Sequence, residues 1–280
     1  MRVFVTGATG YIGSAVVREL IDAGHQVVGL VRSDNGAAVL KEAGAEVHHG
    51  ALDDLDSLHS GVAAADGVIH LAFKHDFSDF SGALTTDLRA VETMGVALEG
   101  SHKPFVITAH FNGEASENAA LALAERGVRT SIVSLAPSVH GEGDKAFVPR
   151  LINIARTKGV SAFVGDGSNR WPAVHRFDAA HLYRLALEKA PAGSRLHGRA
   201  EEGVPFRDIA GVIGKHLNLP VVSISREEAD AHFGFLGTIA ALDIPSILPG
   251  SSVETQKLLG WRPVHSGLVA DLEQGHYFNS

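Results

Sequence analysis

A glycine-rich segment near the N terminus constrains the fold of this chain more than any other feature of its sequence. Gly7, Gly10 and Gly13 stand between two segments of different periodicity. Residues 3–6 form a short apolar run typical of a buried strand, and residues 12–23 place apolar side chains at the spacing of one helix face. In such a unit the glycines allow a tight turn, close approach of a phosphate and close packing of helix on strand. The sequence therefore predicts a dinucleotide-binding turn that grips a pyrophosphate at a helix N terminus.

Short apolar runs alternate with segments of helical period through the N-terminal half, a pattern typical of βαβ units. Strands are predicted at residues 3–6, 26–31, 45–49, 67–72, 104–108 and 129–135. Helices are predicted at residues 12–23, 36–43, 55–62, 82–98 and 115–126. We therefore expect an α/β protein with a doubly wound Rossmann fold built on a parallel sheet of six strands.

The rhythm of the sequence changes after Pro137, and this change predicts a second, smaller part of the molecule. Helices are predicted at residues 147–158 and 178–189, with a glycine-containing loop between them. We expect residues 1–140 to form the NAD(P)-binding Rossmann domain, with 171–195 packing back on it. Residues 141–170 and 196–280 are expected to form a smaller C-terminal α/β lobe that binds substrate.

Charge and residue usage exclude several classes of protein. The chain has 24 Lys and Arg against 32 Asp and Glu, and it has no basic block to lie along a nucleic acid backbone. It has no cysteine, which excludes disulfides and thiolate chemistry and fits a reducing compartment. The strand pattern starts at the first residues, and no apolar run is as long as a membrane span. We therefore expect a cytoplasmic protein with a small-molecule substrate and with neither nucleic acid nor membrane as partner.

The residues at the end of the second predicted strand favour NADP(H) over NAD(H). An acidic side chain at this place normally accepts hydrogen bonds from the adenosine ribose hydroxyls. Here Arg32 and Ser33 follow Val31 instead. A guanidinium cannot accept a hydrogen bond but pairs well with a 2′-phosphate, so these residues predict NADP(H), with NAD(H) as the less favoured cofactor. The alternative is that Arg32 is an ordinary surface cation, since Asp34 lies close enough to compete for it.

Two other strand ends are predicted to line the same cofactor. Asp53, after the third strand, can accept a hydrogen bond from the adenine amino group; alternatively it caps the helix that begins at Leu55. The fourth strand ends at residues 71–73, where the small side chain of Ala72 lets the cofactor lie against the sheet. These positions extend the predicted site from the glycine turn along the carboxyl edge of the sheet.

Several segments together resemble one known family. They are TGATGYIG at residues 6–13, Leu52-Asp53, HLAF at 70–73, LAPSVHG at 135–141, VHRFD at 174–178 and LLGWRP at 258–263. As a set they resemble the extended short-chain dehydrogenase/reductase family, in its NAD(P)-dependent epimerase/dehydratase branch. The resemblance implies that Pro137 to Val139 border the nicotinamide, and that a homodimer forms through the helices at 82–98 and 115–126. The predicted cofactor-binding residues are thus Gly7, Thr9, Gly10, Tyr11, Ile12, Gly13, Arg32, Ser33, Leu52, Asp53, Leu71, Ala72, Phe73, Thr108, Pro137, Ser138 and Val139.

The catalytic pattern of that family does not match this chain. Its members exchange a proton through a Tyr-x-x-x-Lys pair, helped by a Ser or Thr after the fifth strand. Aligning this pattern with the helix at 115–126 puts Gly113 in the Tyr place and Glu117 in the Lys place. The three tyrosines, Tyr11, Tyr183 and Tyr277, all lie outside the segment between the fifth and sixth strands. The usual proton donor is therefore missing.

A histidine is the predicted substitute. His110 leaves the fifth strand at the carboxyl edge of the sheet, and imidazole titrates near neutral pH, so we hypothesise that it gives the proton, with Thr108 beside it. His140 and Lys74 are the second and third candidates.

Three functions remain open from the sequence. The first is an NADP(H)-dependent oxidoreductase that acts on a small carbonyl, alcohol or sugar-type substrate with a non-standard proton donor. The second is a catalytically silent NADP(H)-binding sensor or regulator, and the third is a redox-neutral NAD-dependent epimerase, which Arg32 disfavours. No metal site is predicted, because His48 and His49 point to opposite faces of a strand and His175 and His181 are not spaced as helical ligands.

Overall fold

The structure, a computed structural model, describes residues 1–74 and 79–279; residues 75–78 and 280, which fall within the predicted domains, lie outside the described part. The strands are β1 Arg2–Thr6, β2 Gln26–Val31, β3 Glu46–His49, β4 Gly67–His70, β5 Pro104–Thr108, β6 Arg129–Leu135, β7 Ser138–His140, β8 Ser161–Val164, β9 Arg170–His175, β10 Ser194–Gly198, β11 Glu201–Pro205 and β12 Val221–Ile224. The helices are α1 Tyr11–Asp22, α2 Asp34–Glu42, α3 Leu55–Ala63, α4 Phe80–Leu98, α5 Glu114–Ala122, α6 Phe147–Lys158, α7 Arg176–Lys189, α8 Phe206–Leu217, α9 Arg226–Phe233, α10 Gly237–Ala240, α11 Ile244–Ile247, α12 Val253–Leu259 and α13 Leu268–Glu273.

The central sheet has seven strands within the described residues, in the order β10-β6-β5-β4-β1-β2-β3. Strand β1 pairs in parallel with both β2 and β4, and β3, β5 and β6 continue the parallel pairing on either side. The chain thus moves outward from β1 on one side and from β4 on the other, which leaves a crevice at the carboxyl ends of these two strands. The predicted doubly wound Rossmann fold with a parallel sheet is confirmed.

The sheet has one strand more than the six predicted, because β10 lies at its edge beside β6. In β10, buried Leu196 stands between exposed Arg195 and half-buried His197. A half-buried edge strand carries a short alternating pattern instead of an apolar run, so it was missed. Strand β4 also ends earlier than predicted, at His70, because the next two backbone amides donate to the Thr6 hydroxyl.

The described chain divides into two compact units. The first comprises Met1–Leu135, Ala179–His197 and Glu254–Trp261, so it takes a C-terminal segment that the sequence assigns to the smaller lobe. Trp261 in that segment is fully buried. The core of the first unit is built on the sheet, with Phe4 and Phe105 among its largest fully buried side chains.

The second unit comprises Ala136–Asp178, Gly198–Val253 and the described part of Arg262–Ser280. It contains a three-stranded sheet in the order β11-β9-β7 and a parallel pair of β12 and β8. Trp171 lies in its core against the Phe206 ring, edge to face, with the ring centroids 5.0 Å apart. This unit therefore has an apolar core of its own.

Candidate active site

A cleft of about 710 Å³ opens in the first unit, at the carboxyl ends of its strands. It is lined by the turn after β1, the end of β2, and the segments after β3 and β4. Nine of the predicted cofactor residues lie along it: Gly7, Thr9, Gly10, Arg32, Leu52, Asp53, Leu71, Ala72 and Phe73. The cleft occupies the crevice in which sheets of this topology bind their ligands.

The glycine turn leaves no room for side chains at its two ends. Gly7 has a φ of +68°, and a Cβ atom there would lie 2.8 Å from the Ala72 nitrogen. A Cβ atom on Gly13 would lie 1.9 Å from the carbonyl oxygen of Gly7. Between them, the Gly10 amide donates a hydrogen bond to that same oxygen over 2.9 Å. Gly7 thus has a backbone conformation that favours glycine, and close packing leaves no room for a side chain at Gly13.

Helix α1 presents an uncapped N terminus at this turn. Its N-cap is Gly10, no side chain accepts a hydrogen bond at the cap, and no acidic residue lies in the first turn. Tyr11, Ile12 and Gly13 form that first turn. The dipole and the amides of a helix end without a side-chain cap favour an anion, which is what a diphosphate supplies.

Arg32 lies exposed at the end of the cleft that follows β2. Its neighbour Ser33 is the N-cap of α2, where the hydroxyl oxygen accepts a hydrogen bond from the Gly36 amide over 3.2 Å. A hydroxyl that accepts in this way keeps its proton for donation to a ligand.

Asp53 and Lys74 form an ion pair across the cleft lining, with Nζ of Lys74 3.0 Å from the carboxylate. The hydrogen bond from Lys74 holds the pKa of Asp53 below its usual value. The alternative role of Asp53 as a helix cap is wrong, because α3 is capped by Asp54, which accepts from the Ser57 amide over 3.0 Å.

A buried hydrogen-bond network lies beside the cleft. The Thr6 hydroxyl is 2.7 Å from Nδ1 of His70, and it also accepts from the amides of Leu71 and Ala72, each over 3.2 Å. Nε2 of His70 is 3.1 Å from the Asp87 carboxylate on α4. Burial raises the pKa of Asp87, but hydrogen bonds from His70 and from Ser116 outweigh burial and hold the pKa below its usual value.

His110, the predicted proton donor, lies between this network and the cleft. Its ring packs on Phe73, a lining residue, with the ring centroids 4.2 Å apart. Its Nε2 atom is 3.8 Å from the Asp87 carboxylate, and 17 % of its side chain is exposed. The structure therefore places a partly accessible imidazole against a residue that lines the cleft.

Thr108 is bonded inside the fold. Its hydroxyl donates to the carbonyl oxygen of His70 over 3.0 Å and lies 2.8 Å from the phenol oxygen of Tyr183 on α7. Burial raises the pKa of Tyr183 well above its usual range. Thr108 thus ties the ends of β4 and β5 to α7.

The two positions aligned with Tyr and Lys carry other interactions. Gly113 is the N-cap of α5, and a Cβ atom there would lie 3.0 Å from the carbonyl oxygen of His110. Glu117, one turn later, forms an ion pair with Arg195. Neither position offers a phenol or an ammonium group.

The remaining predicted residues belong to the second unit. Pro137 precedes β7, and Ser138 and Val139 lie in it, opposite Ala173 and Val174 of β9. His140, the second candidate proton donor, is buried with Nδ1 2.8 Å from the Asp271 carboxylate of the same unit. It lies edge-on to His175, whose pKa is lowered to about 4 by burial and by the neighbouring His140 and His265.

Across residues 1–74 and 79–279, no group of three or more histidine or acidic side chains is arranged to hold a metal ion. In the same residues, no helix combines the length and the apolar character needed to cross a membrane.

Sequence reasoning missed Asp87, and it named Lys74 only as a proton donor. Asp87 lies on the buried face of α4, between Ala83 and Ala90, which are also buried. A carboxylate within an apolar helical stripe is the signal that marks it, because buried acids are rare unless paired.

The fold is the nucleotide-binding type that oxidoreductases and epimerases share. The NmrA-like family model matches residues 1–142, half of the chain, so the protein belongs to the NmrA-like family. The resemblance to the short-chain dehydrogenase/reductase group is confirmed by its relatives and by its fold neighbours.

Known proteins are similar to this chain over most of its length. The uncharacterized protein C2A9.02 of Schizosaccharomyces pombe is 50 % identical over 99 % of this chain and its own full length. The 2-alkyl-3-oxoalkanoate reductase of Stenotrophomonas maltophilia is 28 % identical over 79 % of this chain and 77 % of its own. Among solved structures, the dTDP-glucose 4,6-dehydratase DesIV of Streptomyces venezuelae, with NAD and TYD bound, matches with a TM-score of 0.75 at 18 % identity, over 99 % of this chain and 96 % of its own.

Proposed function

We propose that this protein is an NADP(H)-dependent oxidoreductase that reduces a small carbonyl substrate, with His110 as the proton donor. The observation that carries the proposal is the packing of His110 on Phe73, which sets a titratable imidazole beside the cofactor cleft. Its reductase relative from Stenotrophomonas maltophilia supports carbonyl reduction as the reaction class.

The cleft fits a dinucleotide on three counts. Its glycine turn excludes side chains, the N terminus of α1 has no side-chain cap, and about 710 Å³ lies within the range of small-molecule and cofactor sites. NADPH bound here would supply a hydride to a carbonyl carbon. Glycines 7 and 10 would hold the diphosphate, and Ala72 would let the cofactor lie close to the sheet.

NADP(H) is proposed over NAD(H) because the lining near Arg32 is cationic. Arg32 is exposed at the cleft, and the Ser33 hydroxyl still has a proton to donate. Asp53, the one acid among the described lining residues, is already paired with Lys74. Together these groups suit a 2′-phosphate.

Turnover of a carbonyl panel tests the proposed reaction. Purified protein is mixed with NADPH and with aldehydes, ketones, 3-oxoalkanoates and sugar nucleotides, and the absorbance of the reduced cofactor is followed. Turnover is expected, and His110→Gln should lower it about 100-fold or more, the usual contribution of a positioned proton donor, with unchanged affinity for NADPH. His59→Gln, an exposed histidine on α3, is the matched control. Equal turnover in both variants contradicts the role of His110.

The second candidate, a silent NADP(H)-binding sensor or regulator, is favoured by Gly113 and Glu117. Gly113 caps α5 and Glu117 is bound to Arg195, so neither restores the chemistry of the Tyr-Lys pair. NADPH binding by calorimetry without turnover on any member of the panel would select this candidate over the first.

Three further expectations remain part of the proposal. A small molecule is the substrate, and the protein is cytoplasmic. A homodimer through α4 and α5 is expected from the family resemblance, and light scattering coupled to size-exclusion chromatography measures it directly. A monomeric mass at micromolar concentration contradicts the homodimer.

A further inference from the structure

A second cavity, of about 490 Å³, lies within the second unit and shares no lining residue with the cofactor cleft. Its wall combines one arginine, two histidines, two acids, an amide and an aromatic ring. The volume falls within the range of small-molecule sites. The polar groups of the wall indicate what kind of molecule fits there.

Asp271 of α13 is a buried carboxylate on this wall, with 4 % of its side chain exposed. Its Oδ2 atom accepts a hydrogen bond from Nδ1 of His140 over 2.8 Å. Its Oδ1 atom is 3.8 Å from Nε2 of His276, which is beyond hydrogen-bond distance. Nε2 of His276 is itself buried and has no hydrogen-bond partner among the described residues. Because buried polar atoms are normally paired, these two atoms mark a place for a group of a ligand.

A hydroxyl group can partner both atoms at once. It donates its proton to Oδ1 of Asp271 and accepts a hydrogen bond from Nε2 of His276. A hydroxyl oxygen about 2.8 Å from each atom spans their separation of 3.8 Å. A ligand carboxylate does not suit this place, because it has no proton to donate to Asp271.

His175 supplies an N–H donor to the same cavity. The Phe177 amide donates to its Nδ1 atom over 3.3 Å, so Nδ1 carries no proton. Burial and the neighbouring imidazoles lower the pKa of His175 to about 4, so the ring is neutral at pH 7 and its proton lies on Nε2. His265 stacks on this ring, with the centroids 4.7 Å apart and the planes at 11°, which keeps the donor in one orientation.

Arg176 adds a positive charge to the wall beside His175. One of its guanidinium nitrogens donates to the carbonyl oxygen of Glu142 over 2.7 Å, and the group lies 4.9 Å from the centroid of the Phe177 ring. A guanidinium held in this way, next to an imidazole N–H, suits a carboxylate. The exposed side chain of Glu142 also lines the cavity, and its oxygens accept from further hydroxyl groups.

We propose that this cavity binds a sugar acid, a small carboxylic acid that carries several hydroxyl groups. Its carboxylate lies at Arg176 and His175. One of its hydroxyl groups lies between Asp271 and His276. The inference concerns binding alone, so it stands or falls separately from the proposed oxidoreductase.

Glucuronate is the probe for this site, and glucose and hexanoate are its matched controls. Glucose keeps the hydroxyl groups without the acid, and hexanoate keeps the acid without the hydroxyl groups. Calorimetry on the full chain should show glucuronate binding at least about tenfold more tightly than either control, because each control leaves buried or charged groups unpaired. Absence of glucuronate binding, or equal affinity for either control, overturns the inference.

Arg176→Gln tests the acid end of the site. It should weaken glucuronate binding about tenfold and leave the weak binding of glucose unchanged, because only the acid uses the positive charge. Arg150→Gln is the matched control, since Arg150 also lies over a phenylalanine ring, 5.2 Å from the centroid of Phe235, but outside the cavity. Equal affinity for glucuronate in the two variants contradicts the role of Arg176.

Nuclear magnetic resonance locates the ligand in the unsubstituted protein, without reliance on a stable variant. At pH 7 the nitrogen shifts should show His175 neutral with its proton on Nε2. Added glucuronate should then move the signals of His175 and His276, each assigned by its loss in the corresponding glutamine variant. The signal of His232, a histidine of the same unit outside the cavity, should stay in place. If glucuronate moves neither cavity signal, or moves all three alike, the inference is wrong.

Discussion

The turn after β1 and the segment after β5 lie in the same unit, and they are built in different ways. The turn acts through its backbone: Gly7 has a left-handed φ, and Gly13 packs against the oxygen of Gly7. The segment after β5 acts through a side chain, His110, whose ring packs on Phe73 and lies 3.8 Å from the Asp87 carboxylate. The glycine turn thus depends on the absence of side chains, and the segment after β5 depends on the presence of the His110 imidazole. We expect one added methyl group to abolish the function of the glycine turn. The segment after β5 should lose its function when a charge or a transferable proton is removed.

Gly13→Ala should have the largest effect. The added Cβ atom would lie 1.9 Å from the Gly7 oxygen, so helix and strand must separate. We expect the free energy of unfolding to fall by about 3 kcal/mol, at the upper end of overpacking effects, and NADPH binding to be lost. Urea unfolding and calorimetry measure these changes.

Gly211→Ala is the matched control for that change. Gly211 lies in α8 with no heavy atom within 4 Å of its added Cβ, so alanine should leave stability equal or raise it by up to about 1 kcal/mol. Equal behaviour of the two variants would show that the turn is not constrained by packing.

Thr6→Val tests the link between the two regions. The change keeps the shape but removes the partner of the Ala72 amide and of Nδ1 of His70, while the Leu71 amide keeps the carbonyl oxygen of residue 6 as its acceptor. We expect a loss of about 2 kcal/mol in the free energy of unfolding, because buried polar groups lose their partner. Thr6→Ser keeps the hydroxyl and should lose less. If valine and serine behave alike in urea unfolding, the hydroxyl does not tie the turn to His70.

Arg32→Ala tests the proposed contact to the 2′-phosphate of the cofactor. Loss of a charge-assisted contact to the 2′-phosphate should weaken NADPH binding about tenfold, or about 1.4 kcal/mol, and leave NADH binding unchanged. Lys41→Ala removes an exposed cation from α2 and is the control. An equal loss for both dinucleotides, measured by calorimetry, contradicts selection through the 2′-phosphate.

Glu117→Gln should have the smallest effect. The residue stands where the family alignment expects lysine, but its carboxylate is bound to the half-exposed Arg195. Only the Arg195 end of this pair is well exposed, and a glutamine amide oxygen can still accept a hydrogen bond from it, so we expect a change of about 1 kcal/mol in stability and no change in turnover. Glu114→Gln, in the same turn of α5, is the control. Abolished turnover in Glu117→Gln alone would give this carboxylate a part in the chemistry.

The boundaries of β2, β5, β6 and α6 agree with the predicted segments, because each has an unbroken periodic or apolar pattern. The edge strand β10 was missed because a half-buried strand of five residues carries little of either pattern. The nine predicted residues that line the cleft each lie within four positions of the end of a strand, and parallel strands bring their carboxyl ends to one edge.

The sequence by itself determined six strands of the sheet, the glycine turn and the place of the cleft. These features depend on residue types at short, fixed spacings, which a linear pattern displays. Only the tertiary structure decided the polar network, in which Thr6 meets His70 across 64 positions of the chain and His70 meets Asp87 across 17. Such contacts follow from how strands and helices pack, and no local spacing records them. The same reason explains Asp53, which packing places beside Lys74 while its neighbour Asp54 caps the helix.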